Sequence, residues 1–242
     1  MINIQKYVRA QSLEEAYTLN QKKKNRILAG MLWTRMESGN VPVAIDLCDL
    51  GLDKIEENEE EFSIGAMVTL RQLQMHESFE NYCDGIVAKA VKDIIGVQFR
   101  NLATVGGSIW GRFGFSDVLT AFMALDTYVE LYKGGVIPLE QFARMQYDRD
   151  LLVRVIVKKK PGVFSYQAMR VQKTDFPILT CGVSRMDGVC KAVIGARPGK
   201  AVCIHDDRHL LDGEVTEKKA EAFAEYVAEQ VTTGSNMRGS AE

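Results

Sequence analysis

Arg100-Asn101-Leu102-Ala103-Thr104-Val105-Gly106-Gly107-Ser108-Ile109 is the stretch on which the reading of this sequence turns. Two adjacent glycines lack Cβ atoms, so the backbone there is free to bend sharply and bring several N–H groups close to an anion. Thr104 and Ser108 place a hydroxyl on either side. A few residues on, Ser116-Asp117 opens a segment in which Val118, Leu119, Phe122 and Leu125 recur on one helical face. Asp117 thus offers a carboxylate to ribityl or ribose hydroxyls, or serves as an N-terminal helix carboxylate favoured by the dipole. A glycine turn, two hydroxyls and a nearby carboxylate suit a dinucleotide pyrophosphate. A tight loop ahead of a helix accounts for the glycines equally well. Both readings stand on the residues alone.

Upstream, Ile27-Leu28-Ala29-Gly30 reads as the end of a buried strand running into Met31-Leu32-Trp33-Thr34, a second place where backbone N–H groups gather at a turn. Neither turn has the G-x-G-x-x-G of a Rossmann fingerprint, and no P-loop occurs. Ser12-Leu13-Glu14-Glu15 has the form of a capping box before a helix, and Lys22 to Lys24 suit that helix's end. Strands are expected at 26–29, 43–47 and 62–64, with the acidic run 56–61 as a solvated turn between the last two. Thr69 caps a short helix, 86–95 has a helical apolar face, and 128–132 alternates as a strand.

Beyond Asp150 the pattern changes to successive strands at 151–157, 163–169, 178–185 and 189–196. Asp187-Gly188 forms a hairpin turn in the last pair, and a helix spans about 217–231. The chain reads as α+β, with one mixed unit at 1–157 and a sheet with a helical layer at 158–242.

With 242 residues, 46% hydrophobic and 26% charged, the composition is that of an ordinary globular protein. A net charge of -2 gives no attraction to a nucleic-acid backbone, and no apolar run has the length of a membrane span. The opening MINIQKYVRAQSLEEAY lacks a signal-peptide core, so a cytoplasmic location is expected. Five cysteines, odd in number and with no C-x-x-C pair, suggest neither a disulfide framework nor a zinc or iron–sulfur site within this chain, and read as small core residues. His205-Asp206-Asp207-Arg208-His209 reads as a solvated surface turn rather than a metal site, and Lys158-Lys159-Lys160-Pro161 as a connector.

The decisive stretch resembles the I-R-N-x-A-T-x-G-G-N-I signature of the flavin subunits of molybdenum hydroxylases, the family of xanthine dehydrogenase and carbon monoxide dehydrogenase. Phe115-Ser116-Asp117 falls where that family has P-x-S-D, and Ala121 to Asp126 fits its P-A-L-x-A-L-x-A helix. Phe62-Ser63-Ile64-Gly65-Ala66, Thr69-Leu70, Thr174-Asp175-Phe176-Pro177 and Asn236-Met237-Arg238-Gly239-Ser240 follow in the family's order, so the resemblance runs the length of the chain.

The resemblance implies a two-subdomain FAD-binding fold of the vanillyl-alcohol-oxidase/PCMH type, followed by a C-terminal α+β domain. It implies an FAD-dependent oxidoreductase subunit that passes electrons from a [2Fe–2S] subunit, fed by a molybdopterin-binding large subunit, to NAD or another acceptor. No catalytic side chain and no metal ligand need come from this chain, because the flavin carries the redox chemistry. Carried over by position, Arg26, Ile27, Leu28, Ala29, Gly30, Met31, Leu32, Trp33 and Thr34 contact the diphosphate and adenosine side. Ala103, Thr104, Gly107 and Ser108 hold the pyrophosphate, with Trp110 and Gly111 nearer the flavin. Ser116 and Asp117 meet ribityl or ribose hydroxyls, and Leu152 packs by the ring.

Departures from the family are specific. Met31 and Leu32 follow Gly30 where relatives have A-G-G-T/H, Ser108 replaces an Asn, and Ala168 stands where a Lys is common, with Arg170 close by. Trp110 either stacks on a flavin or plugs the pocket. A scaffolding subunit whose altered first turn retains no FAD is the competing expectation. A free-standing flavin reductase ranks below it, since no motif supplies the acid such an enzyme needs.

Overall fold

The computed structural model describes residues 1–241. In chain order it runs β1 (Ile2–Ile4), β2 (Tyr7–Arg9), α1 (Leu13–Asn20), β3 (Arg26–Leu28), β4 (Gly39–Val41), β5 (Ala44–Asp46), β6 (Ile55–Glu57) and β7 (Glu61–Gly65). Helices α2 (Leu70–Gln74), α3 (Glu77–Tyr82), α4 (Ile86–Val91), α5 (Val97–Arg100), α6 (Val105–Trp110) and α7 (Asp117–Ala124) follow. Then come β8 (Thr127–Leu131), β9 (Gly135–Pro138), α8 (Leu139–Arg144), β10 (Leu152–Lys158) and β11 (Gly162–Met169). The chain continues through β12 (Leu179–Met186), β13 (Val189–Gly195), β14 (Val202–His205) and α9 (Glu217–Gln230).

The chain forms two compact units, and neither is one continuous stretch. The first comprises residues 1–73, 96–111 and 128–157, and the second 74–95, 112–127 and 158–242. A break near 157 thus lies where the chain passes from one to the other. Segments 74–95 and 112–127, which a simple cut at that point assigns to the first unit, belong with the C-terminal sheet. The reason is burial: every residue of α7 is buried, so this helix needs apolar cover on all sides.

In the first unit β2, β5 and β3 form a parallel sheet, β1 pairs with β4, and a five-stranded sheet has the order β6-β7-β10-β8-β9. Residues of β3 alternate in direction as strand geometry requires. Ile27 packs against the cluster that contains Ala16, Ile45, Leu47 and Val153, whereas Leu28 belongs to a separate one with Val41 and Ala44. The capping box is present: Ser12 Oγ accepts from the Glu15 amide, and the Glu15 carboxylate accepts from the Gln11 amide. The C-terminal end of α1 is closed by Arg149, whose guanidinium donates to the carbonyls of Asn20, Lys22 and Asn25. That clamp fixes the chain just before β3.

In the second unit β11-β12-β13-β14 form an antiparallel sheet. Cys190, Ala192 and Ile194 point toward α9 and meet Phe223 and Val227. On the opposite face glycines admit α7: a Cβ on Gly195 would lie 2.5 Å from Thr120 Oγ1, and one on Gly182 3.1 Å from the Ala124 Cβ. The Asp187-Gly188 hairpin has both residues at positive φ, 50° and 81°, as a type I′ turn demands.

Several expectations are corrected. Gly106 and Gly107 lie inside α6 and not in a tight turn, because Thr104 caps that helix through a bond from the Gly107 amide. Half of the acidic run is strand, since Glu56 and Glu57 pair with Ser63 and Phe62. His205 ends strand β14 rather than sitting in a turn. Cys48 is exposed, unlike the buried Cys83, Cys190 and Cys203. Among the described residues, no helix is long and apolar enough to cross a membrane.

Candidate functional site

The turn that leaves β3 has unspent hydrogen-bonding capacity. Ala29, Gly30, Met31, Leu32 and Thr34 are half-buried residues whose amides have no acceptor among the described residues. Backbone amides are normally paired in the fold or with water, so a run of amides without a protein acceptor is available to an external one. Met31 sits at φ 56°, in the left-handed region, which curls successive N–H groups toward a common centre as in an anion-binding nest. Its side chain leaves that centre open: it packs against the small core of Leu28, Val41 and Ala44. The concern raised by a bulky residue at this position is therefore met by the direction of the side chain.

Gly30 brings the two glycine-bearing segments together. A Cβ at this position would lie 1.8 Å from the carbonyl oxygen of Leu102 and 3.2 Å from the Ala103 amide nitrogen, a space no side chain fits. The second segment is itself pinned. Val105 and Gly106 donate to the carbonyls of Val68 and Ala66, and Leu70 donates to Ala103. The Gly106 amide approaches so closely that a Cβ there would lie 2.5 Å from the Ala66 oxygen.

The first-turn amides of α6 are thereby consumed within the protein. Gly107 is exposed on the outer side of the helix, and Ser108 donates its hydroxyl to Thr104 O at 2.9 Å.

Arg26 donates to the Lys23 and Asn25 carbonyls and pairs with Glu37 at 3.5 Å, so its charge is partly committed. Trp33 is exposed and directly precedes the short 3-10 turn Thr34–Met36. Trp110 tilts against Phe142 with ring centroids 5.8 Å apart, and the Gly111 carbonyl accepts from Tyr147. Leu152 is buried at the start of β10.

Ser116 and Asp117 lie in the second unit. Ser116 caps α7 by accepting from the Leu119 amide at 3.0 Å. Asp117 is buried, and its Oδ1 accepts from the Tyr166 hydroxyl at 2.5 Å and from the Arg170 guanidinium. Burial pushes the Asp117 carboxyl up, while Tyr166 and Arg170 pull toward the ionised form. The sequence shows no sign of this triad, because 49 and 53 residues separate its members from Asp117.

Two glycine-bearing segments in contact, one with unpaired amides from Ala29 to Leu32, offer backbone donors to an anionic group such as a diphosphate. Against protein-family models, residues 2–159 match the FAD-binding domain in molybdopterin dehydrogenase. The chain belongs to that family.

As an FAD-binding domain of this family it has the expected α+β architecture, a two-subdomain FAD-binding fold. A chain of the carbon monoxide dehydrogenase from Hydrogenophaga pseudoflava superposes with a TM-score of 0.85 at 21% identity, covering 98% of this chain and 90% of that one. For quinoline 2-oxidoreductase from Pseudomonas putida 86 the TM-score is 0.83 at 21% identity, with the same coverages of 98% and 90%. The uncharacterized protein YgfM of Escherichia coli K12 is 24% identical over 98% of this chain and 89% of its own length.

Proposed function

We propose that this flavoprotein is the electron-transfer subunit of a molybdenum hydroxylase complex. It takes electrons from a [2Fe–2S] partner served by a molybdopterin-binding large subunit, and delivers them to NAD or another acceptor. The observation that carries the reading is the turn after β3, where the unpaired amides of Ala29, Gly30, Met31, Leu32 and Thr34 and the left-handed Met31 suit an FAD diphosphate. Bound FAD supplies the redox chemistry, accepting and releasing electrons in one- or two-electron steps.

The chain's own residues bind and orient. In this reading residues 26–34 hold the diphosphate and adenosine side, and Ala103, Thr104, Gly107 and Ser108 line the pyrophosphate from the second segment. Trp110, Gly111 and Leu152 border the flavin. The solved relatives named as carbon monoxide dehydrogenase and quinoline 2-oxidoreductase support an oxidoreductase of the hydroxylase type.

Purification of the chain from its native source tests the proposal, with FAD, iron and molybdenum quantified per chain. The expected result is one FAD per chain and iron- and molybdenum-bearing partners in fixed ratio. A yellow chain that elutes alone, free of both metals, overturns the complex. A colourless chain that still co-elutes with such partners replaces the electron-transfer role with scaffolding.

A further inference from the structure

We infer that the second unit carries an anion site of its own beside the end of β11, suited to a small molecule bearing a phosphate or pyrophosphate group. A cavity of about 550 Å³ opens there, and cationic side chains reach it from two separate elements. Lys89 and Lys92 come from α4 and its end, Arg170 and Lys173 from the chain just past β11, and Gln167 and Gln172 add amide donors. The acidic groups nearby are Asp93, in the wall and 4.0 Å from the exposed Lys173, Asp117 behind Arg170, and Glu80, which interacts with Lys89. Four cations outnumber these three carboxyl groups. The Lys173–Asp93 pair, long and exposed, does little to cancel the excess.

Arg170 distinguishes this place from a solvated lysine face. Its side chain is only 8% exposed, with one guanidinium nitrogen on Asp117 and another 2.6 Å from the Asp175 carbonyl. A guanidinium held from behind is a fixed, always charged donor, the group best matched to phosphate oxygens. Lys89 Nζ spends one proton on the Asp84 carbonyl at 3.1 Å and keeps two. None of the cavity's lining residues belongs to the turns at 29–34 or 103–108. The inference therefore goes beyond the electron-transfer reading and does not depend on it.

Calorimetric titration of sodium pyrophosphate, and separately of ADP, into the FAD-loaded and FAD-free chain at constant ionic strength tests the site. Saturable binding at one equivalent is expected in both forms. The Lys89→Gln/Lys92→Gln variant, altered only at exposed positions, should bind about tenfold more weakly, about 1.4 kcal/mol, with an unchanged thermal midpoint. ADP binding more tightly than pyrophosphate identifies a nucleotide as the source of the anion, and equal affinity identifies a free phosphoanion; either result supports the site. Absence of saturable binding in both forms overturns it, as does an unchanged affinity in the double variant. Binding confined to the FAD-free form also overturns it, by assigning the cavity to the flavin. Flavin absorbance of the same samples reports separately on FAD binding.

Discussion

Replacing Met31 by alanine and by glycine isolates the backbone strain at the centre of the proposed diphosphate turn. Both variants lose the methionine side chain, which packs half-buried against Leu28, Val41 and Ala44. That loss is about 1–2 kcal/mol, below the 2–5 kcal/mol of a fully buried methionine, and it is common to both. The difference between them is therefore backbone. An L-residue at φ 56° costs roughly 1–2 kcal/mol, which glycine avoids. Against this, glycine's extra freedom in the unfolded chain costs about 0.4–1 kcal/mol.

The glycine variant should thus be more stable than the alanine variant by about 0.5–1 kcal/mol, the reverse of the order in a helix interior. Urea unfolding of the FAD-free variants under identical conditions measures the difference. FAD affinity should match in the two variants, because the amides that face the ligand remain where they are. An alanine variant as stable as the glycine variant, or more so, refutes the left-handed turn and with it the nest.

Gly30→Ala forces a Cβ to within 1.8 Å of the Leu102 oxygen, so the turn must move; FAD retention in a gel-filtered sample should fall by more than about tenfold. Gly107→Ala is expected to stabilise the FAD-free protein by up to about 1 kcal/mol, since the residue is helical, while weakening FAD binding measured by flavin fluorescence. Unchanged FAD affinity would remove Gly107 from the pyrophosphate. Asp117→Ala leaves Arg170 buried without its carboxylate and should cost about 3–5 kcal/mol in urea unfolding of the FAD-free protein. A loss below about 1 kcal/mol would reduce Asp117 to an ordinary helix-end carboxylate.

Glu80, half-buried, has its carboxyl pushed up to about 7 by burial. In that range the folded chain binds more protons than the unfolded one. Its contribution is therefore fully present below the ordinary carboxylate range and lost as pH rises through about 7. Glu80→Gln should flatten that fall in a stability–pH series, and an unaltered slope would show that another group causes it.

Short-range chemistry was legible in the sequence. Ser12 and Glu15 announce their helix, Thr69 and Ser116 cap theirs, and Asp187-Gly188 requires its hairpin, because each depends on residues within four positions. Strand alternation after Asp150 and the order of family motifs likewise established the α+β class and the FAD-binding family.

Long-range burial decided the rest. Gly106 and Gly107 look like a turn, yet the Thr104 cap and the carbonyls of Ala66 and Val68 draw them into a helix and consume its first amides. The unpaired amides of Ala29, Gly30, Met31, Leu32 and Thr34 belong to a turn that Gly30 brings against Leu102, more than seventy positions away. Asp117 finds Tyr166 and Arg170 only when α7 is enclosed by the C-terminal sheet. The sequence by itself determined which segments could turn, cap and alternate. Which backbone donors remained for a ligand was settled by tertiary structure, since a donor is free only after every competing acceptor in the folded chain has been placed.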